Sequence, residues 1–349
     1  MSAFDVPAGG HLFLRAPNWV GDLVMATPVL EAAIADERWS KVSIGLRPHL
    51  RAVLAEGPLE PHLVPIEGGE DRVYRELAPD VAVLLSNSFG AALRAYRAGV
   101  PVRVGAALSS RGVLLTHRLV PPTWLGRRSP IPTAHLLRDV AALAGVLAPD
   151  LHPRLHFGAS TAASARAVLD EVGIGAGKPF VVCCPGAAFG AAKLWPPERF
   201  AAALDAIHAR TGAVGFLTGA PSEAAIVEAV ARACTHPVRS APPATRDLAH
   251  LKVWIHDARL LLVGDSGPRW YAAAFDTPCV SVMGPNLPEL TATSLEFASI
   301  VRVEGLDCSP CLERACPLVH HACMRELGVD AVVAAAAEVL ARVPAREVL

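Results

Sequence analysis

Phe180 to Arg210 reads FVVCC-PGAAFGAAKLWP-PERFAAALDAIHAR. Five apolar residues, Phe180 to Cys184, have the make-up of a strand covered on both faces, and Pro197 to Arg210 carries a helical pattern. The loop between them holds two Gly and four Ala, so its backbone can approach a ligand closely, and a lysine, Lys193, near its far end. A strand, a small-residue loop and a helix make one βα unit, and the rest of the chain repeats it.

Downstream, strands are expected at Ala213 to Thr218, Leu260 to Gly264 and Cys279 to Met283, with helices at Ser222 to Ala233 and Pro268 to Phe275. Upstream, His11 to Ala16, Lys41 to Gly45, Val81 to Leu85 and Val102 to Gly105 read as strands. Helices are expected over Asp22 to Ala35 and Phe89 to Ala98, and the Pro-rich stretch Pro121 to Pro132 interrupts the alternation. Ala148 to Ser160 has turn signals and no period, so the linker belongs there. The fold class is α/β, with two open domains whose parallel sheets face across a cleft, the usual ligand site of such sheets. The expected boundaries are an N-terminal domain over 1–155, a C-terminal domain over 156–330 and a last helix over 331–349.

With 349 residues and a net charge of −1, the chain has the length of two domains and no excess of basic residues with which to bind nucleic acid. The mean hydropathy is +0.37, yet the longest apolar runs are far shorter than the roughly 18 residues of a membrane span. The first ten residues show no basic and apolar leader, so the expected location is cytoplasmic.

Two familiar patterns fail on context. Gly173-Ile-Gly-Ala-Gly-Lys178 has short glycine spacing and is followed by Pro179 and a strand, unlike a P-loop. Gly264-Asp-Ser-Gly-Pro268 lacks a glycine of the trypsin-like nucleophile segment and follows an α/β strand, and no Gly-x-Ser-x-Gly elbow exists. The same segment offers Ser266 and Gly267 N–H groups at the start of an expected helix, a setting suited to phosphate, with Asp265 either part of that site or an N-cap. Lys193 is one of four Lys against 28 Arg, which singles it out. In the first half, Asn18-Trp-Val-Gly-Asp22 joins a strand to its helix, and Asp22 is either a cap or a carboxylate at the cleft.

Three segments in order, Arg15-Ala-Pro-Asn-Trp-Val-Gly-Asp-Leu-Val-Met-Ala-Thr-Pro28, Pro185 to Phe200, and Asp265-Ser-Gly-Pro268 with Ala272-Ala-Ala274 and Gly284-Pro285, resemble the heptosyltransferases, glycosyltransferases of the GT-B fold and of glycosyltransferase family 9. The likeness runs through nearly the whole chain and is greatest to the enzymes that add the second heptose of the lipopolysaccharide inner core. It implies two Rossmann-like domains, acceptor-binding and then nucleotide-sugar-binding. It also implies inverting transfer of a heptose from ADP-heptose to a lipid A-linked saccharide, with no cofactor for catalysis. On the family pattern, Asp22 matches the catalytic base and Lys193 the residue beside the donor phosphates. Glu223 matches a ribose-contacting carboxylate, Asp265, Ser266 and Gly267 the diphosphate turn, and Gly186, Ala187 and Ala188 the donor loop. An attacking hydroxyl needs a carboxylate to take its proton, and a leaving ADP needs positive charge and N–H dipoles. The chain departs from the family at Trp270, where the pattern has His, and Arg269 is the nearest charge. The alternative is a nucleotide-sugar-binding homologue without catalysis.

From Asp80 to Asp139 no acid intervenes, while Arg94, Arg97, Arg103, Arg111, Arg118, Arg127, Arg128 and Arg138 do. Such a basic stretch suits an anionic lipid-linked acceptor and a peripheral position on the inner membrane, or is solvated surface. Cys308, Cys311, Cys316 and Cys323 enclose His320 and His321, a spacing open to structural Zn or Fe, to reduced thiols or to disulfide pairing.

Overall fold

The computed structural model describes residues 10–124 and 127–343. It divides into two compact units. The first ends at His156 and takes in Glu289–Thr293, and the second runs from Phe157.

In the first unit β1 (His11–Arg15), β2 (Lys41–Leu46), β3 (Leu63–Pro65), β4 (Val81–Leu84), β5 (Val102–Ala106) and β6 (His117–Leu119) form one parallel sheet in the order 3-2-1-4-5-6. β1 and β4 are buried throughout, as expected of central strands covered on both faces. Phe13, Ala82 and Leu84 pack with Tyr74, Ala92 and Ala95 from the helices Glu70–Leu77 and Phe89–Arg97. A hairpin of β7 (Thr123–Trp124) and β8 (Arg127–Arg128) follows, and then the helix Thr133–Ala142.

The second unit repeats the plan. β9 (Phe180–Cys184), β10 (Val214–Leu217), β11 (Val238–Ser240), β12 (Leu260–Gly264), β13 (Cys279–Val282) and β14 (Ala298–Val301) run parallel in the order 11-10-9-12-13-14. Its core joins Val181, Leu262 and Val280 to Trp195, Phe200 and Leu204, and the last helix, Val329–Arg342, adds Val332, Val333, Ala336 and Val339. That helix therefore belongs to the second unit. The expected helix through residue 349 extends past the described residues. Among them, no helix is long and apolar enough to cross a membrane.

Three local expectations are corrected. The single helix over Asp22 to Ala35 is two, Val20–Met25 and Thr27–Ile34. Pro28 lacks the N–H that would reach the Val24 carbonyl, and the Thr27 hydroxyl donates to that carbonyl instead, at 2.8 Å. The linker expected to end at Ser160 already carries the helix Ala159–Glu171. The helix after β12 is only seven residues, Pro268–Ala274.

In each sheet the strand order reverses beside the first strand, between β1 and β4 and between β9 and β12. Ligands of open α/β sheets bind at the carboxyl ends of strands at this point. The loops that leave β1, β9 and β12 carry the residues singled out above.

Candidate functional site

In the first unit, β1 ends on Arg15, whose guanidinium is buried. Its Nε donates to Glu70 Oε1 at 2.6 Å, its Nη2 to Asn18 Oδ1 at 2.8 Å, and its Nη1 to the Ala16 carbonyl. Glu70 opens the helix Glu70–Leu77 and is itself buried, so the turn after β1 is tied to the unit's interior by a charged pair out of water. The turn leads into the helix Val20–Met25. Its N-cap is Trp19, which makes no side-chain cap hydrogen bond, and Asp22 lies in the first helical turn, half-buried. Asp22 is thus not the N-cap, although a carboxylate in a first turn still gains from the backbone dipoles there. Trp19, at 49% exposure, stands beside it as an apolar face at the loop tip.

The second unit gathers its residues more tightly. Lys193, at the end of the turn Ala191–Lys193, places Nζ 2.6 Å from Asp265 Oδ2 and 4.7 Å from the centre of the Phe189 ring. Asn286 Nδ2 donates to the same Asp265 oxygen at 2.9 Å. Asp265 is buried, and Gly267 rather than Asp265 caps the helix after β12. The cap reading of Asp265 is therefore set aside: its carboxylate holds an ammonium. Glu223 lies at the end of the short turn Pro221–Glu223, accepts the Ala220 N–H at 2.8 Å, and packs against Gly186 so closely that a Cβ there would sit 2.1 Å from the Glu223 carboxyl carbon. Burial pushes the Glu223 carboxyl above the usual glutamate range. Gly186, Lys193, Glu223, Asp265 and Asn286 thus share one corner of the second unit, with Ala187 and Ala188 on the loop between Gly186 and Lys193. Ser266 and Gly267 are half-buried beside Asp265. Arg269 is buried and stacks on Trp270 at 4.3 Å, and burial lowers its pKa.

The arginine-rich stretch is smaller as a surface charge than its count suggests. Arg111 is fully buried and donates only to oxygens of the sheet's carboxyl edge, those of Leu84, Ser86, Asn87 and Ala106. Burial brings its pKa down to about 10, so it stays charged at neutral pH. Arg103 donates to the Val100 and Leu114 carbonyls, and Arg138 pairs with Asp139 at 2.8 Å. Arg94, Arg97 and Arg118 remain exposed. The side chains of Arg127 and Arg128 lie outside the described residues.

Cys308, Cys311, Cys316 and Cys323 line one small cavity with His320 and His321. Among the described residues no three His, Cys, Asp or Glu side chains are grouped to hold a metal ion as folded, so the structure lends the metal reading no support. Cys323 is buried, its sulfur 3.0 Å from where a Cβ on Gly284 would sit, and it lines the cavity together with the other three, which are half-buried. Cys183, Cys184 and Cys279 are buried in β9 and β13 and behave as small apolar residues, their thiols pushed up by burial.

The sequence alone does not disclose Glu70 behind Arg15 or Asn286 on Asp265, and it gives Trp19 no role beside Asp22. Asn286 follows the quoted Gly284-Pro285 directly, and that adjacency was the available signal.

Comparison with known proteins bears on the family and the fold. The sequence model of glycosyltransferase family 9 (heptosyltransferase) matches residues 72–322. Lipopolysaccharide heptosyltransferase 2 of Salmonella typhimurium is 26% identical over 309 residues, which cover 84% of this chain and 88% of that one. The structure of Escherichia coli ADP-heptose lipopolysaccharide heptosyltransferase II superposes with a TM-score of 0.74 at 22% identity, over 95% of this chain and 99% of that one. A further Escherichia coli heptosyltransferase, solved with ADP-2-deoxy-2-fluoro heptose, gives 0.64 at 17% identity, over 94% and 99%. These two structures share the fold.

Proposed function

The chain belongs to glycosyltransferase family 9, the heptosyltransferases, and on that premise we propose that it moves a heptose from ADP-heptose to the lipopolysaccharide inner core with inversion at the sugar carbon. The acceptor hydroxyl oxygen attacks the anomeric carbon and its proton passes to Asp22. The bond from that carbon to the ADP oxygen breaks, and ADP leaves with the electron pair. One displacement with no enzyme-bound intermediate inverts the centre. Lys193 supplies positive charge to the departing diphosphate, the N–H groups of Ser266 and Gly267 supply dipoles, and Glu223 accepts from the ribose hydroxyls. Asp265, itself held by Asn286, holds Lys193 rather than the phosphates, because a carboxylate facing a diphosphate would repel it. Protein side chains and backbone carry the whole reaction, and no cofactor takes part in it.

The observation that carries this reading is the 2.6 Å pair between Lys193 and the buried Asp265 at the switch point of the second sheet, with Glu223 and Gly186 in the same corner. Arg94, Arg97 and Arg118, with Arg127 and Arg128, are assigned to the acceptor side, where they draw an anionic lipid-linked saccharide from the cytoplasmic face of the inner membrane. Trp19 offers that saccharide a face to lie on. The buried Trp270 in place of the family His favours one second reading, a protein that binds the nucleotide sugar without turning it over. Incubation with ADP-heptose and a heptosylated acceptor separates the two. Product formation is expected, and tight ADP binding without product would establish the binding protein.

A further inference from the structure

We propose that His321 is a positioning residue for the donor loop: its imidazole holds the peptide of Ala192 and thereby aims Lys193 at the diphosphate. The proposal rests on the reading of Lys193 as the donor-phosphate residue.

The loop from Ala187 to Ala192 has little with which to hold itself in place. Apart from Phe189 its side chains are Ala or nothing, and such a segment loses much conformational freedom on ordering. Its fixing comes from over a hundred residues further on. The Ala192 N–H donates to the Arg314 carbonyl at 3.0 Å, and His321 Nε2 lies 2.8 Å from the Ala192 carbonyl oxygen. A carbonyl can only accept, so the ring nitrogen carries the hydrogen and donates. Both polar groups of Ala192 are thus satisfied by one segment, and Ala192 is itself buried. Gly190 lets this happen: a Cβ there would stand 2.3 Å from the Arg314 carbonyl oxygen. The next residue after the clamped one is Lys193, whose Nζ sits on Asp265.

His321 is held in turn. Its carbonyl accepts the N–H groups of Met324 and Arg325, and the Met324 and Cys323 sulfurs fill the space that a Cβ on Gly284 would take. Ser309 Oγ donates to the Gly284 carbonyl at 2.8 Å, and the Leu312 N–H to that of Pro285 at 2.8 Å. The cysteine-rich segment is therefore a brace, seated on the exit of β13 and reaching the loop that leaves β9. Removing its ring donor leaves the buried Ala192 carbonyl without a partner, and the cheapest remedy is a rotated peptide that carries Lys193 with it.

The test measures ADP affinity by calorimetry and Michaelis constants for donor and acceptor in the full chain. His321→Phe keeps a ring and loses the donor. It is expected to weaken ADP and raise the donor constant about tenfold, with the acceptor constant unchanged. His321→Gln returns an N–H at similar reach and is expected to restore wild-type values to within about threefold, whereas a purely structural role would move both Michaelis constants together. If His321→Phe does not fold, His321→Asn replaces it, since its amide falls short of Ala192; equal ADP affinity in the Asn and Gln variants overturns the proposal. Lys193→Ala is measured beside them. Weakened ADP binding in Lys193→Ala with none in His321→Phe sinks the role of His321 alone, and unchanged binding in both sinks the donor-loop reading underneath it.

Discussion

Asp22 and Lys193 are assigned different work, so their variants should fail differently. Asp22→Asn is expected to lower turnover by roughly 10² to 10⁴ and leave ADP affinity near wild type, because a lost proton acceptor acts on the reaction and not on the nucleotide. Single-turnover rates with saturating donor check this, and an undiminished rate would leave Asp22 a helix residue only. Lys193→Ala should instead weaken ADP by about 1.5 to 3 kcal/mol, the range for a charged hydrogen bond. Glu223 adds a pH signature. Its carboxyl is held above the usual range by burial, so the folded chain keeps that proton to higher pH than the unfolded chain does. Stability is therefore lost as pH rises from the ordinary glutamate value through the raised one. Glu223→Gln retains an oxygen for the Ala220 N–H and carries no charge. It should melt with wild type below that window and above wild type beyond it, and coincident melting curves across the whole range would remove the argument.

Among the elements, the cysteine-rich segment invites the most direct measurement. Cys308, Cys311, Cys316 and Cys323 line one cavity, and elemental analysis of protein purified under reducing conditions separates the readings: about one equivalent of Zn or Fe establishes a structural metal, whereas metal-free protein with all eight thiols of the chain titrating after unfolding establishes reduced thiols. The last helix makes a second prediction at this scale. Val332 and Val339 are fully buried in the second unit's core, so Val339→Asp should destabilise that unit severely by placing an unpaired charge there, while Glu338→Ala on the same helix should be nearly silent. What the sequence discloses divides along the same line. Long apolar strands such as Phe180–Cys184 and Leu260–Gly264 were legible because periodicity and length agree there. β3, β6 and β11 have three residues each, too few to show a period, and went unread. Lys193 and Asp265 were each legible as motifs, but their pairing depends on β9 lying next to β12, which no local pattern encodes. The spacing of the cysteines suggested a shared site, and the fold does bring all four to one cavity with His320 and His321. Arg111 counted toward a surface charge because its burial depends on the end of β4, 27 residues away, lying beside the end of β5.

At the scale of the molecule, each unit has its own sheet and its own core, and the donor corner is built wholly within the second. ADP should therefore stabilise that unit preferentially. In scanning calorimetry an ADP concentration of 100 times Kd adds about 2.7 kcal/mol to whatever binds it, and the expectation is a shift in the transition of the second unit ahead of any in the first. Equal shifts of a single transition would mean that the two melt as one. The sheets also share one strand order, and the key loop of each hangs from the same place, after its first strand: Asp22 beyond β1, Lys193 beyond β9. Because Gly186, Lys193, Glu223, Asp265, Asn286 and the brace through His321 all come from one half, natural variation can retool nucleotide choice there while the acceptor half is inherited untouched, and the reverse holds for Asp22 and Trp19. Such a chain is open to recombination at its middle, and chimeras joined near residue 157 would be the natural raw material for new pairings of donor and acceptor.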